Sequence, residues 1–92
     1  MKQVTVTVVC KVGIHARPAA ILVNEAKQFT SSVQIRNLTV EHGWVNGKSI
    51  LSVLGLGIKQ GHKIEIEADG PDEEQAVEHL QRLVLSDFDE KA

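Results

Sequence analysis

Val4, Val6 and Val8 alternate with Thr5, Thr7 and Val9, a period of two rich in β-branched side chains that predicts a first strand with one buried face. After Gly13 the period changes. Ala19, Leu22, Val23, Ala26 and Phe29 recur at spacings of three and four, which places one apolar stripe on a helix. Pro18 suits a first helical turn, where a missing N–H costs nothing, so this helix is expected to begin near Ala16 and Arg17 and to end near Phe29. Val33 and Ile35 alternate with Gln34 and Arg36, and a run through Trp44 and Val45 follows after Asn37 and Gly43, predicting a hairpin. Ser49 then caps a short helix through Ile50, Leu51, Val53 and Leu54, ended by Gly55 and Gly57. Ile64, Ile66 and Ala68 alternate with Glu65 and Glu67 as the last strand. Beyond the turn at Gly70-Pro71-Asp72, the stripe Ala76, Val77, Leu80, Leu83 and Val84 marks a final helix, with Asp72 and Gln75 at capping-box spacing.

The predicted order is β-α-β-β-α-β-α. Strands with one polar face suit a sheet open to water on one side, so the expected class is α+β: a two-layer, open-faced β-sandwich with a four-stranded antiparallel sheet and helices on one face. A single domain over residues 1–88 is expected, with the chain fraying from Asp87 into a tail at 89–92. The 92 residues make about one domain, 42% hydrophobic and 24% charged, the balance of an ordinary globular chain. A net charge of -2, with no Lys/Arg cluster beside an aromatic row, argues against nucleic-acid binding, and nothing predicts membrane insertion. Cys10 is the sole cysteine and no opening stretch reads as a signal peptide, so a cytoplasmic location is expected.

Gly13-Ile14-His15-Ala16-Arg17-Pro18-Ala19-Ala20 carries the most chemistry, because it puts an imidazole just before a helix start and a guanidinium two residues later. The first helical N–H groups lack internal partners and the helix dipole is positive there, so an anion on His15 would meet the amides of Ala16 and Arg17. Arg17 adds a planar fork able to bond two phosphate oxygens. The positive helix end also favours a neutral imidazole, the form whose ring nitrogen can attack phosphorus. A histidine before a helix is most often a solvated loop residue, and spacing does not decide between the two readings.

Gly13 to Ala20 resembles the active-site signature of the HPr family, histidine-containing phosphocarriers of the bacterial sugar phosphotransferase system. Asn46-Gly47-Lys48-Ser49-Ile50-Leu51 resembles that family's second signature, and Leu56-Gly57, the Gly61 turn and the acidic start of the final helix follow in the same order. The resemblance implies that His15 accepts a phosphoryl group through Nδ1, cradled by Ala16 and Arg17, with enzyme I as donor, enzyme IIA domains as acceptors and no metal or organic cofactor. It makes Ser49 the counterpart of a regulatory phosphorylation site, read by a serine kinase/phosphorylase and a catabolite-control transcription factor. It also points to Ala20, Asn24, Lys27, Ile50, Leu51 and Leu54 as a partner-docking rim. Leu51 and Leu54 read equally well as core. A monomer is expected. Alternatives are a regulatory protein of catabolite repression acting by binding, and a carrier of the nitrogen-related branch; the intact His15 departs from the catabolite-repression paralogues.

The segment from Asn37 to Trp44 is longer than the usual family hairpin, and Leu51 and Ser52 stand where methionine and glycine are common. His42, His62 and His79 share no metal-ligand spacing with His15 and read as surface histidines. Gly55, Gly57 and Gly61 read as turns, Asn37-Leu38-Thr39 as an accidental glycosylation motif, Cys10 as strand-end packing, and Trp44 as a side chain partly covering the sheet.

Overall fold

The computed structural model describes residues 1–9, 14, 16–86 and 88. Its elements run β1 (Lys2–Thr7), α1 (Ala16–Ala26), β2 (Ser32–Asn37), β3 (His42–Asn46), α2 (Ile50–Leu54), β4 (Lys63–Asp69) and α3 (Glu73–Leu85), in the expected order. The strands form one sheet in the order β1-β4-β2-β3, antiparallel at every pairing. Ile66 at its centre lies opposite Val4 on one side and Ile35 on the other, so the inward positions of three strands form one apolar row. That row meets Leu22 and Val23 of α1, Val53 of α2, and Ala76, Leu80 and Val84 of α3 in a single core. Gln3, Thr5, Ser32 and Gln34 alternate with it and face water. Burying branched side chains at about 25 cal/mol per Å² of apolar surface drives this closure, and the period of two decides which face is buried.

Three expectations are corrected. The α-helical part of α1 stops at Ala26 rather than near Phe29, because the amides of Gln28 and Phe29 donate three residues back, to Glu25 and Ala26, tightening the last turn. The Lys48 ammonium then takes the Phe29 carbonyl at 2.8 Å, which satisfies an acceptor at the helix's end. Phe29 still packs against the core from this turn. No capping box forms at α3: the Asp72 side chain makes no bond to its own helix. Instead it accepts from the amides of Thr30 and Ser31, both at 2.9 Å, and from the Ser31 hydroxyl, which in turn accepts from the Asp72 amide at 3.2 Å. These bonds hold the Asp72 carboxyl down at about 2, the Ser31 hydroxyl being the largest cause and the Thr30 amide the next. Gly70 belongs to the same seam, since a Cβ there would lie 2.6 Å from Ser31 Oγ and 2.7 Å from its Cα.

The third correction concerns the C-terminal end. Phe88 is buried and its amide donates to the Leu83 carbonyl at 2.9 Å, so the fraying expected from Asp87 does not extend to this residue. Asp87 itself and 89–92 lie outside the described residues, as does Cys10. The β2–β3 hairpin turns through residues 38–41, with Glu41 at φ 56° and a register irregularity between Ile35 and Asn37. Asn37 is fully buried, which rules out a glycan on its side chain. Trp44 is half-buried with the Arg36 guanidinium 4.6 Å from its ring centroid, and Arg36 donates from Nε to Glu65 at 2.7 Å. No helix among the described residues is long and apolar enough to cross a membrane.

Candidate functional site

α1 opens at Ala16, as Pro18 predicts. Ala16 and Arg17 are exposed while Pro18 and Ala19 are buried, so the first turn anchors itself through its third and fourth residues; the amides of its first two have no acceptor within the helix. Ile14, just before the site, is buried and donates its amide to the Ile58 carbonyl at 3.0 Å. His15 lies outside the described residues.

Along α1 and into the turn that follows it, Arg17, Ala20, Asn24 and Lys27 recur every three or four residues, three of them exposed and Ala20 half-buried. α2 packs against this helix. There Leu51 is 82% exposed and Ile50 38%, whereas Leu54 is partly buried against the core. The open question for Leu51 is therefore answered by geometry: five residues cannot turn all their apolar positions inward, and Val53 takes the buried one. Leu54 is mixed, lending part of its surface to the core.

Ser49 is the cap of α2, its oxygen accepting from the Ser52 amide at 3.4 Å, a long bond that leaves the half-buried hydroxyl weakly engaged. Asn46, from the same motif, accepts the Lys48 amide at 2.9 Å, and Gly47 is required because a Cβ would lie 2.7 Å from Val33 Cγ1. Asn46, Gly47 and Lys48 therefore brace the approach to Ser49 against β2 and against the end of α1.

Comparison with known proteins decides what this assembly belongs to. A family model described as the PTS HPr component phosphorylation site matches residues 2–86. The chain belongs to the PTS HPr family. It is 44% identical over 84 residues to the phosphocarrier protein HPr of Lysinibacillus sphaericus, covering 91% of this chain and 92% of that one. It is also 44% identical over 78 residues to a multiphosphoryl transfer protein of Haemophilus influenzae, where the match covers 85% of this chain but spans only 16% of the relative's length. The crystal structure of HPr-C-His from Thermoanaerobacter tengcongensis superposes with a TM-score of 0.90 at 39% identity, covering 100% of both chains. The HPr-like fold expected from the sequence is thus the observed one.

Sequence reasoning missed the contacts that join distant segments. Glu25 of α1 meets His79 Nε2 of α3 at 2.5 Å, and the His79 ring lies 5.7 Å from that of Phe29. His62, expected on the surface, is half-buried and bonded to Asn37. Neither pair has a local signature, because its members are 54 and 25 residues apart. Among the described residues no cluster of His, Cys, Asp and Glu is arranged to hold a metal ion.

Proposed function

We propose that this chain is a phosphoryl carrier in which His15 accepts a phosphoryl group from phospho-enzyme I and passes it to sugar-specific enzyme IIA domains. The observation that carries the reading is the start of α1 at Ala16 with Arg17 exposed beside it, in a chain whose family is that of HPr. Transfer is a displacement at phosphorus: the neutral ring Nδ1 of His15 forms the new P–N bond as the P–N bond to the donor's histidine breaks. The amides of Ala16 and Arg17, which have no acceptor within the helix, and the Arg17 guanidinium spread the charge on the phosphoryl oxygens. No proton need move with the phosphoryl group, and no cofactor enters.

Docking is assigned to Ala20 and Asn24 of α1 and Lys27 just beyond it, together with Ile50, Leu51 and Leu54, an apolar patch rimmed by polar groups that suits brief, repeated encounters. Ser49 stands next to this patch, and a phosphoryl group there would set nearly two negative charges beside it. We assign Ser49 as the regulatory site, written by a serine kinase/phosphorylase and read by a catabolite-control transcription factor. The carrier works as a cytoplasmic monomer.

The test is incubation with phosphoenolpyruvate and enzyme I. The reading expects one phosphate per chain that survives alkali, is lost in acid, and is absent from His15→Ala. A chain that takes no such phosphate overturns it.

A further inference from the structure

Asn37 and His62 form a buried junction between the end of β2 and the loop Leu56–His62. Asn37 is 0% exposed, and its surroundings fix how its amide points. The backbone N–H of Thr39 faces Oδ1 at 3.1 Å and the carbonyl of Leu56 faces Nδ2 at 3.2 Å, so oxygen and nitrogen cannot exchange places. The second Nδ2 proton then points to His62 Nδ1, 3.1 Å away. The same ring nitrogen faces the backbone N–H of Lys59 at 3.2 Å. Both neighbours are donors, so Nδ1 is placed as the acceptor, which assigns the ring proton to Nε2. Protonating Nδ1 would set three N–H groups against each other and remove both bonds.

What this junction holds is the ground under the phosphorylation site. The Ile58 carbonyl accepts from Ile14, the residue before His15, at 3.0 Å. At the other end of the same loop, Gly61 donates to the Val8 carbonyl and Val8 donates to the His62 carbonyl, both at 2.9 Å. The loop therefore grips the chain on both sides of the segment that leads to His15, and Asn37 and His62 grip the loop at Leu56 and Lys59. The titratable groups on the surrounding segments are Lys59 and Lys63 on its own stretch and Glu41 and His42 at the hairpin, and none of them makes a side-chain hydrogen bond to the His62 ring among the described residues.

We propose that Asn37 and His62 are positioning residues for His15, a latch on the Leu56–His62 loop held closed by the two bonds that His62 Nδ1 accepts. The inference rests on the reading of His15 as the phosphoryl carrier for its functional consequence, though not for its structural one.

His62→Asn is the informative variant, since its Oδ1 takes the place of Nδ1 as an acceptor; His62→Ala removes the acceptor altogether. Three measurements apply to the whole chain. Nitrogen-detected NMR of the wild type at about pH 8 should show His62 with its proton on Nε2. Amide exchange at Ile14, corrected for the intrinsic rate, should lose protection roughly fivefold to tenfold in His62→Ala relative to wild type, while staying level in His62→Asn. The phosphorylation rate by enzyme I should fall severalfold in His62→Ala and stay near that of the wild type in His62→Asn. A proton on Nδ1, or Ile14 protection that is the same in His62→Ala as in wild type, overturns the latch. Should the wild type take no phosphate at any pH, the carrier reading fails, and the tautomer and exchange data still judge the latch by themselves.

Discussion

Arg17 occupies the second position of α1 with its side chain exposed, so its removal costs the core nothing. If its guanidinium holds phosphoryl oxygens, Arg17→Ala forfeits a charge-assisted bond worth about 1.5–3 kcal/mol in transfer, a slowing of roughly tenfold to a hundredfold in kcat/KM, with an unchanged melting temperature. A variant that melts early would show that Arg17 is structural. Asp72 is its opposite, a residue whose work is stability. Its carboxyl is depressed from 3.8 to about 2 in the folded state by the Ser31 hydroxyl and the Thr30 amide. A group with a depressed folded value stabilises above its unfolded value, and that stabilisation is lost as pH falls through the folded one. Thermal melts should therefore show Asp72→Asn below wild type at pH 7, with the gap closing between about pH 4 and 2. A gap that does not change with pH would mean that the charge of Asp72 is irrelevant to the seam.

Among the elements, α2 is the one whose surface exceeds the needs of folding. Leu51 leaves 82% of itself in water, against 0% for Leu22 of α1. Leu22→Ala should cost about 2–5 kcal/mol of stability, while Leu51→Ala should stay within about 0.5 kcal/mol in the same denaturation experiment. If Leu51 is a docking residue, its truncation instead raises KM for phospho-enzyme I severalfold, and an unchanged KM would return it to the bland category of exposed leucines. Ser49→Asp should weaken the same encounter without unfolding the domain, because charge is added at the edge of the apolar patch; unaltered transfer kinetics would count against regulation at that site. These elements were legible from local pattern. Pro18 announces the start of α1, and Ser49 and Gly55 bracket α2, because caps and breakers act within a turn of where they stand. The turn that ends α1 was less so, since Lys48, 19 residues on from Phe29, takes that residue's carbonyl.

At the scale of the molecule, period-two and period-3.6 patterns were enough to order the strands and helices along the chain and to assign a buried face to β1, β2, β4, α1 and α3, because burial there follows the period of the element. The long-range polar contacts were not legible. Asp72 has the right residue type and spacing for a capping box, yet its carboxylate goes to Thr30 and Ser31, partners that only the packing of α3 against the α1–β2 turn brings within reach. Asn37 and His62 likewise acquire their roles only when β2 and the Leu56–His62 loop come together. At the site itself, the helix start and Arg17 were readable as chemistry, and family resemblance narrowed that chemistry to phosphoryl transfer. The claim at the centre is that the chain both takes and gives a phosphoryl group at His15. It is tested most directly by loading the chain with labelled phosphate from enzyme I, isolating it, and mixing it with a sugar-specific enzyme IIA domain. The account predicts that the label leaves His15 and appears on the IIA domain within seconds; label that stays on the chain, or that is found on Ser49 instead of His15, would contradict it.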